Sequence, residues 1–72
     1  MDIRKLTGLI VQRGTMFLVG RILYSTELRW SDSPWDAWRT RDREAAQRVA
    51  HAVGGDLMLF NPVACQLREA RL

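Results

Sequence analysis

Cysteine, histidine and lysine each occur once in this 72-residue sequence, at Cys65, His51 and Lys5. A single cysteine excludes an internal disulfide. One cysteine with one histidine falls short of the four Cys/His ligands of a zinc-finger-type site, so no structural metal is expected. No apolar stretch approaches the roughly 18 residues of a membrane span. The run Leu9-Ile10-Val11 near the N-terminus is too brief for a signal-peptide core. A cytoplasmic protein with Cys65 as a free thiol, structural or incidental, is the expectation. A chain this short buries only about 60% of the surface its unfolded form exposes. That fits one domain over residues 1–72 with a small core. With disulfides and metals set aside, the remaining support for such a core is a partner subunit, and a homo-oligomer is expected.

Hydrophobic residues make up 47% of the chain and charged residues 26%, which sets it among ordinary globular proteins and apart from disordered ones. The formal charge is +3, and Lys5 is the only basic residue that is neither arginine nor histidine. Arginine grips phosphate or carboxylate bidentately and stacks on flat rings. The bias suits a nucleotide, a nucleic acid or an acidic protein surface, and equally suits the codon usage of a GC-rich genome, as do the many alanines. No run of adjacent basic residues forms the dense stripe of a strong duplex-DNA binder.

Thr7 to Gln12 reads as a strand, followed by a tight turn at Arg13-Gly14, where glycine supplies positive φ at little cost. Thr15 to Leu23 reads as a second strand with apolar groups on both faces, so each face needs a cover, and one cover could be another subunit. Glu27 to Trp30 is a plausible third strand after a polar Ser25-Thr26 break. Ser33-Pro34-Trp35-Asp36 carries the marks of a helix start. The turn it opens is expected to run to about Arg39, with Trp35 and Trp38 on neighbouring parts of one face. Thr40 is then expected to cap a main helix whose apolar stripe is Ala45, Ala46, Val49, Ala50 and Val53, with Glu44 and Arg48 paired on the wet side and Gly54-Gly55 as its stop. Leu57 to Phe60 follows as a strand ended by Asn61-Pro62, and Val63 to Ala70 as a final short one. The expected class is α+β: a small antiparallel sheet of three to five strands in ββ(β)αβ order, with one main helix on one face and a short helical turn before it.

Little here suggests catalysis. His51 is the only side chain with an ordinary pKa near neutrality, and its place late in the helix suits a solvated or capping imidazole. The carboxylates are scattered singly, and Gly54-Gly55 follows a helix where a phosphate-cradling loop precedes one. No enzyme, cofactor or metal is therefore expected. Residues 29–43 stand apart, with all three tryptophans and four arginines within fifteen positions. Tryptophan faces stack on bases or cations, interleaved arginines grip phosphates, and both types dominate protein interfaces. Arg29, Trp30, Trp35, Trp38, Arg39 and Arg41 are the candidate binding residues. The competing reading is that the tryptophans plug the core beneath the turn. Arg43 is expected to matter less, on a solvated face near Gln47.

Ser33-Pro34-Trp35-Asp36-Ala37-Trp38-Arg39-Thr40-Arg41-Asp42, then Val49-Ala50, Gly54-Gly55 and Leu59-Phe60-Asn61-Pro62, resembles a group of short bacteriophage and prophage proteins. The resemblance spans roughly residues 16 to 69. Such sequences often have a glycine after the Asn-Pro turn, where this chain has Ala64-Cys65. The resemblance implies an accessory protein that counters a host immune system, as anti-CRISPR proteins and sponges for immune nucleotide signals do, acting in the host cytoplasm. It carries no catalytic assignment. The leading expectation is thus a non-catalytic protein that sequesters an anionic nucleotide signal. The alternatives are a nucleic-acid-binding accessory or regulatory protein, an inhibitor that binds a host defence protein directly, and a structural subunit of a larger assembly.

Overall fold

In the computed structural model, residues 7–21 and 27–70 are described. They form five strands and one main helix: β1 (Gly8–Arg13), β2 (Met16–Arg21), β3 (Leu28–Ser31), a 3-10 turn (Pro34–Asp36), α1 (Arg43–Val53), β4 (Asp56–Asn61) and β5 (Gln66–Glu69). The sheet order is β3-β2-β1-β4-β5, and every neighbouring pair is antiparallel. This is the expected α+β architecture. The expected run of the second strand through Leu23 and the Ser25-Thr26 break fall outside the described residues.

The β1–β2 hairpin turns through Gly14-Thr15, with Arg13 opposite Met16. Gly14 sits at φ 62°, as the first position of a two-residue type II′ turn requires. Beyond the hairpin the two strands part. Only Gln12↔Phe17 and Arg13↔Met16 are in register. The gap is filled by Ala37 to Thr40, lying extended in the plane of the sheet. The Trp38 N–H donates to Leu18 O (2.8 Å), and Leu9 and Thr40 exchange two backbone hydrogen bonds of 2.7 and 3.0 Å. Without this insert the inner edges of both strands would carry unsatisfied backbone groups at the centre of the molecule.

The strand period of two then distributes side chains to the two faces. On the helix face, Val11, Leu18 and Ala50 form one buried cluster, joined by Leu28, Trp30, Trp38, Val49, Val53 and Leu57. On the opposite face, Ile10, Phe17 and Phe60 form a second cluster, joined by Ala37, Met58 and Leu67. Phe17 and Leu18, adjacent in sequence, are both buried on opposite faces. Both faces of β2 therefore pack against other parts of the chain: Leu18 clusters with Ala50 of α1 and Trp38 on one side, and Phe17 clusters with Ile10, Phe60 and Ala37 on the other.

Two helix boundaries differ from the sequence reading. The Ser33 hydroxyl does cap the turn, accepting from the Trp35 N–H at 3.3 Å, but the turn ends at Asp36, because from Ala37 onward the backbone is recruited by the sheet. The cap of α1 is Asp42, whose Oδ1 accepts from the Ala45 N–H at 3.2 Å. Thr40 instead accepts from the Asp42 N–H at 3.1 Å, since its own backbone is committed to Leu9. The helix ends as expected: Gly54 is left-handed at φ 69°, and the bonds Gly55 N–H to Ala50 O and Gly54 N–H to His51 O make a Schellman motif.

Candidate anion-binding groove

Alternation along residues 37–40 separates the side chains that the sequence sets together. Trp38 points to the helix face and packs with Val11, Leu18 and Ala50. Arg39 points to the opposite face, with its guanidinium 5.8 Å from the centroid of the Phe60 ring and its aliphatic stem over Gly8, where a Cβ would come within 2.5 Å of Arg39 Cγ. Trp35 lies on that same face, edge-on to Phe60 at 5.2 Å and 90°, and is 54% exposed. Trp35 and Trp38 are thus on opposite sides of the sheet, in place of the single helical face expected, because the helical turn stops before Trp38.

Trp30 is half-buried on the helix face of β3, with the Arg13 guanidinium 5.9 Å from its ring centroid. Arg29, its neighbour, is exposed and alternates to the other face. Trp35 and Arg39 are brought together around Phe60. Trp30 gains Arg13 as a neighbour. Arg41 joins none of these.

Arg41 lines a depression of about 270 Å³ on the helix face, together with Arg43, Thr7, Gly8, Leu9 and Leu59. Arg43 is exposed, as expected, and lines this depression beside Arg41. Asp42, between the two arginines in sequence, turns its carboxylate into the helix as the N-cap. A second depression of about 180 Å³ is lined by Arg68, Gln66, Asn61, Thr7 and Leu59. Thr7 and Leu59 belong to both, so the two hollows form one groove beside the first turn of α1. β4 and β5 build its far wall: Leu59 is opposite Arg68, and Asn61 opposite Gln66, which sends all four side chains to one face.

Among the described residues the groove's lining contains three arginines and no carboxylate. Its amide oxygens are engaged by the protein. Asn61 Oδ1 accepts from the Val63 and Ala64 N–H groups at 3.1 and 3.2 Å. Gln66 Oε1 accepts from Arg68 Nη2 at 3.1 Å. These donors fix the amide orientations, so both NH₂ groups remain to serve as donors toward a ligand. Such a lining suits anionic oxygen.

Sequence reasoning found Arg41 but not Arg68, Asn61, Gln66 or Thr7. The spacing of Leu59/Asn61 and Gln66/Arg68 around the Asn-Pro turn was the available signal, since it marks four side chains on one face of a hairpin.

A larger hollow of about 570 Å³ is lined by Glu44, Gln47, Arg48 and His51. All four belong to α1 and carry charges of both signs, and among the described residues no other element lines this hollow. Among the described residues no group of three or more His, Cys, Asp and Glu could hold a metal ion, and no helix is long and apolar enough to cross a membrane. Comparison with family models, curated proteins and solved structures returned no match for this chain.

Proposed function

We propose that this chain is a non-catalytic binding protein that holds an anionic ligand of the nucleotide class in the groove formed by Arg41, Arg43 and Arg68. The observation that carries the reading is the lining of that groove, with three arginines, amide and hydroxyl donors and, among the described residues, no carboxylate. The resemblance to short phage proteins supplies the context: a small accessory protein that withholds a nucleotide signal from a host immune system. In this reading Trp38 and Arg39 serve the fold, Trp30, Trp35 and Arg29 lie outside the groove, and the protein works as a homo-oligomer.

Calorimetric titration with adenosine 5′-monophosphate and with adenosine tests the proposal. The phosphate form is expected to bind and the nucleoside not. Arg41→Lys is expected to weaken binding by about tenfold, because lysine keeps the charge but loses the bidentate fork. Raising the salt is expected to lower affinity with a shallow slope, whereas a nucleic-acid-binding protein with several phosphate contacts loses affinity steeply. Equal binding of nucleotide and nucleoside, or no binding at millimolar concentration, overturns the reading.

A further inference from the structure

The groove is not one hollow but two. Arg41 and Arg43 stand in the larger lobe, Arg68 in the smaller, and the waist between them is the uncharged pair Thr7 and Leu59, which both lobes share. Each lobe is smaller than the roughly 300–1,000 Å³ of a typical small-molecule pocket, so neither encloses a whole nucleotide. Each has room for a phosphoryl group. Leu59, 38% exposed in a chain whose other β4 apolar side chains are more buried, presents apolar surface between the two cationic ends.

Resting on the anion-binding reading above, we infer that the groove takes a ligand with two separate phosphoryl groups joined by an uncharged spacer, one group in each lobe. The ligand class is a dinucleotide with two spaced phosphates, as distinct from a mononucleotide or a contiguous polyphosphate. Arg41 and Arg43 hold the first phosphate. Arg68, steadied by its bond to Gln66, holds the second, with the NH₂ groups of Asn61 and Gln66 beside it. Among the described residues no aromatic side chain lines either lobe, so the spacer lies over Leu59 without base stacking, and recognition is indifferent to the base.

The test compares the 5′-phosphorylated dinucleotide pApA, which has two phosphates, with ApA and with adenosine 5′-monophosphate, which have one each. pApA is expected to bind at least about tenfold more tightly than either, the gain of one further charge-assisted hydrogen bond. Arg41→Gln and Arg68→Gln, both at exposed positions, are each expected to weaken pApA by about tenfold or more with unchanged circular dichroism. pUpU is expected to bind within about threefold of pApA, since stacking strength is what a base platform would report. If the mononucleotide binds through Arg41 but pApA gains nothing, or Arg68→Gln leaves pApA unaffected, the two-point inference fails while the anion-binding reading stands. Strong preference for pApA over pUpU overturns the base-indifferent spacer. If none of these probes binds, both readings fall.

Discussion

Cys65 holds a backbone conformation that side chains avoid. Its φ is 52°, at the last position of the turn that joins β4 to β5, and its thiol is exposed. The left-handed region costs an L-residue roughly 1–2 kcal/mol, and glycine escapes that cost. The turn therefore has a shape that its own residue fits poorly. Cys65→Gly is expected to stabilise the protein by about 1 kcal/mol, a rise in melting temperature of about 4–8 °C for a domain of this size. A melt that falls would show that the Cys65 side chain contributes more than its strain costs. Gly8 presents the reverse case. An added Cβ would meet Arg39 Cγ at 2.5 Å and Thr40 O at 3.3 Å. Overpacking of this kind typically costs about 1–3 kcal/mol. Gly8→Ala is therefore expected to lower the melting temperature, and Arg39→Ala in the same chain to recover part of the loss, because the nearest obstruction is the arginine stem. Strict additivity of the two changes would mean that they do not touch.

At the scale of elements, the parts governed by local chemistry were legible. The β1–β2 turn follows from Gly14, the end of α1 from Gly54-Gly55, and the helix stripe from the spacing of its alanines and valines. The segment Ala37 to Thr40 was not legible. Its fate depends on the divergence of β1 and β2, a long-range event, and the five residues between the helical turn and the Asp42 cap carry no visible period. Missing that insert moved the helix cap from Asp42 to Thr40 and merged three side chains into one imagined site. The groove was hidden for a related reason. Arg41 and Arg68 are 27 positions apart in the sequence and come to line adjoining hollows only through the β1–β4 and β4–β5 registers. The corrected cap makes a specific claim. Asp42→Ala is expected to cost about 1 kcal/mol by thermal melting, and Thr40→Ala less, because its hydroxyl supports the turn before the helix and leaves the cap in place. Equal losses at the two positions would return the cap to Thr40.

At the scale of the whole molecule, the two ends of the sheet are unlike. β5 closes one edge with Arg68 and Glu69, and charged side chains at an edge discourage further pairing. β3 closes the other with Leu28, Arg29, Trp30 and Ser31. Leu28 and Trp30 face the helix side and are only partly buried. Beside them lies an apolar hollow of about 260 Å³ between β2, β3 and the C-terminal half of α1, lined among others by Leu18, Leu28, Trp38, Val49 and Val53. Among the described residues this edge strand carries one charged side chain, Arg29, and lies next to an apolar hollow, so it is physically suited to pair with a second copy, which would add backbone hydrogen bonds and cover the hollow together. Sedimentation at micromolar concentration is accordingly expected to report a dimer or larger. Location can be read separately by hydrogen exchange. Amides of β3 should become more protected as protein concentration rises, while those of β5 should not. This asymmetry also bears on the groove, which lies at the β5 side and would stay open in such a dimer. Ligand affinity is then expected to be the same above and below the concentration at which β3 protection sets in. If affinity rises with association, the second copy completes the binding site, and the pairing edge is β5.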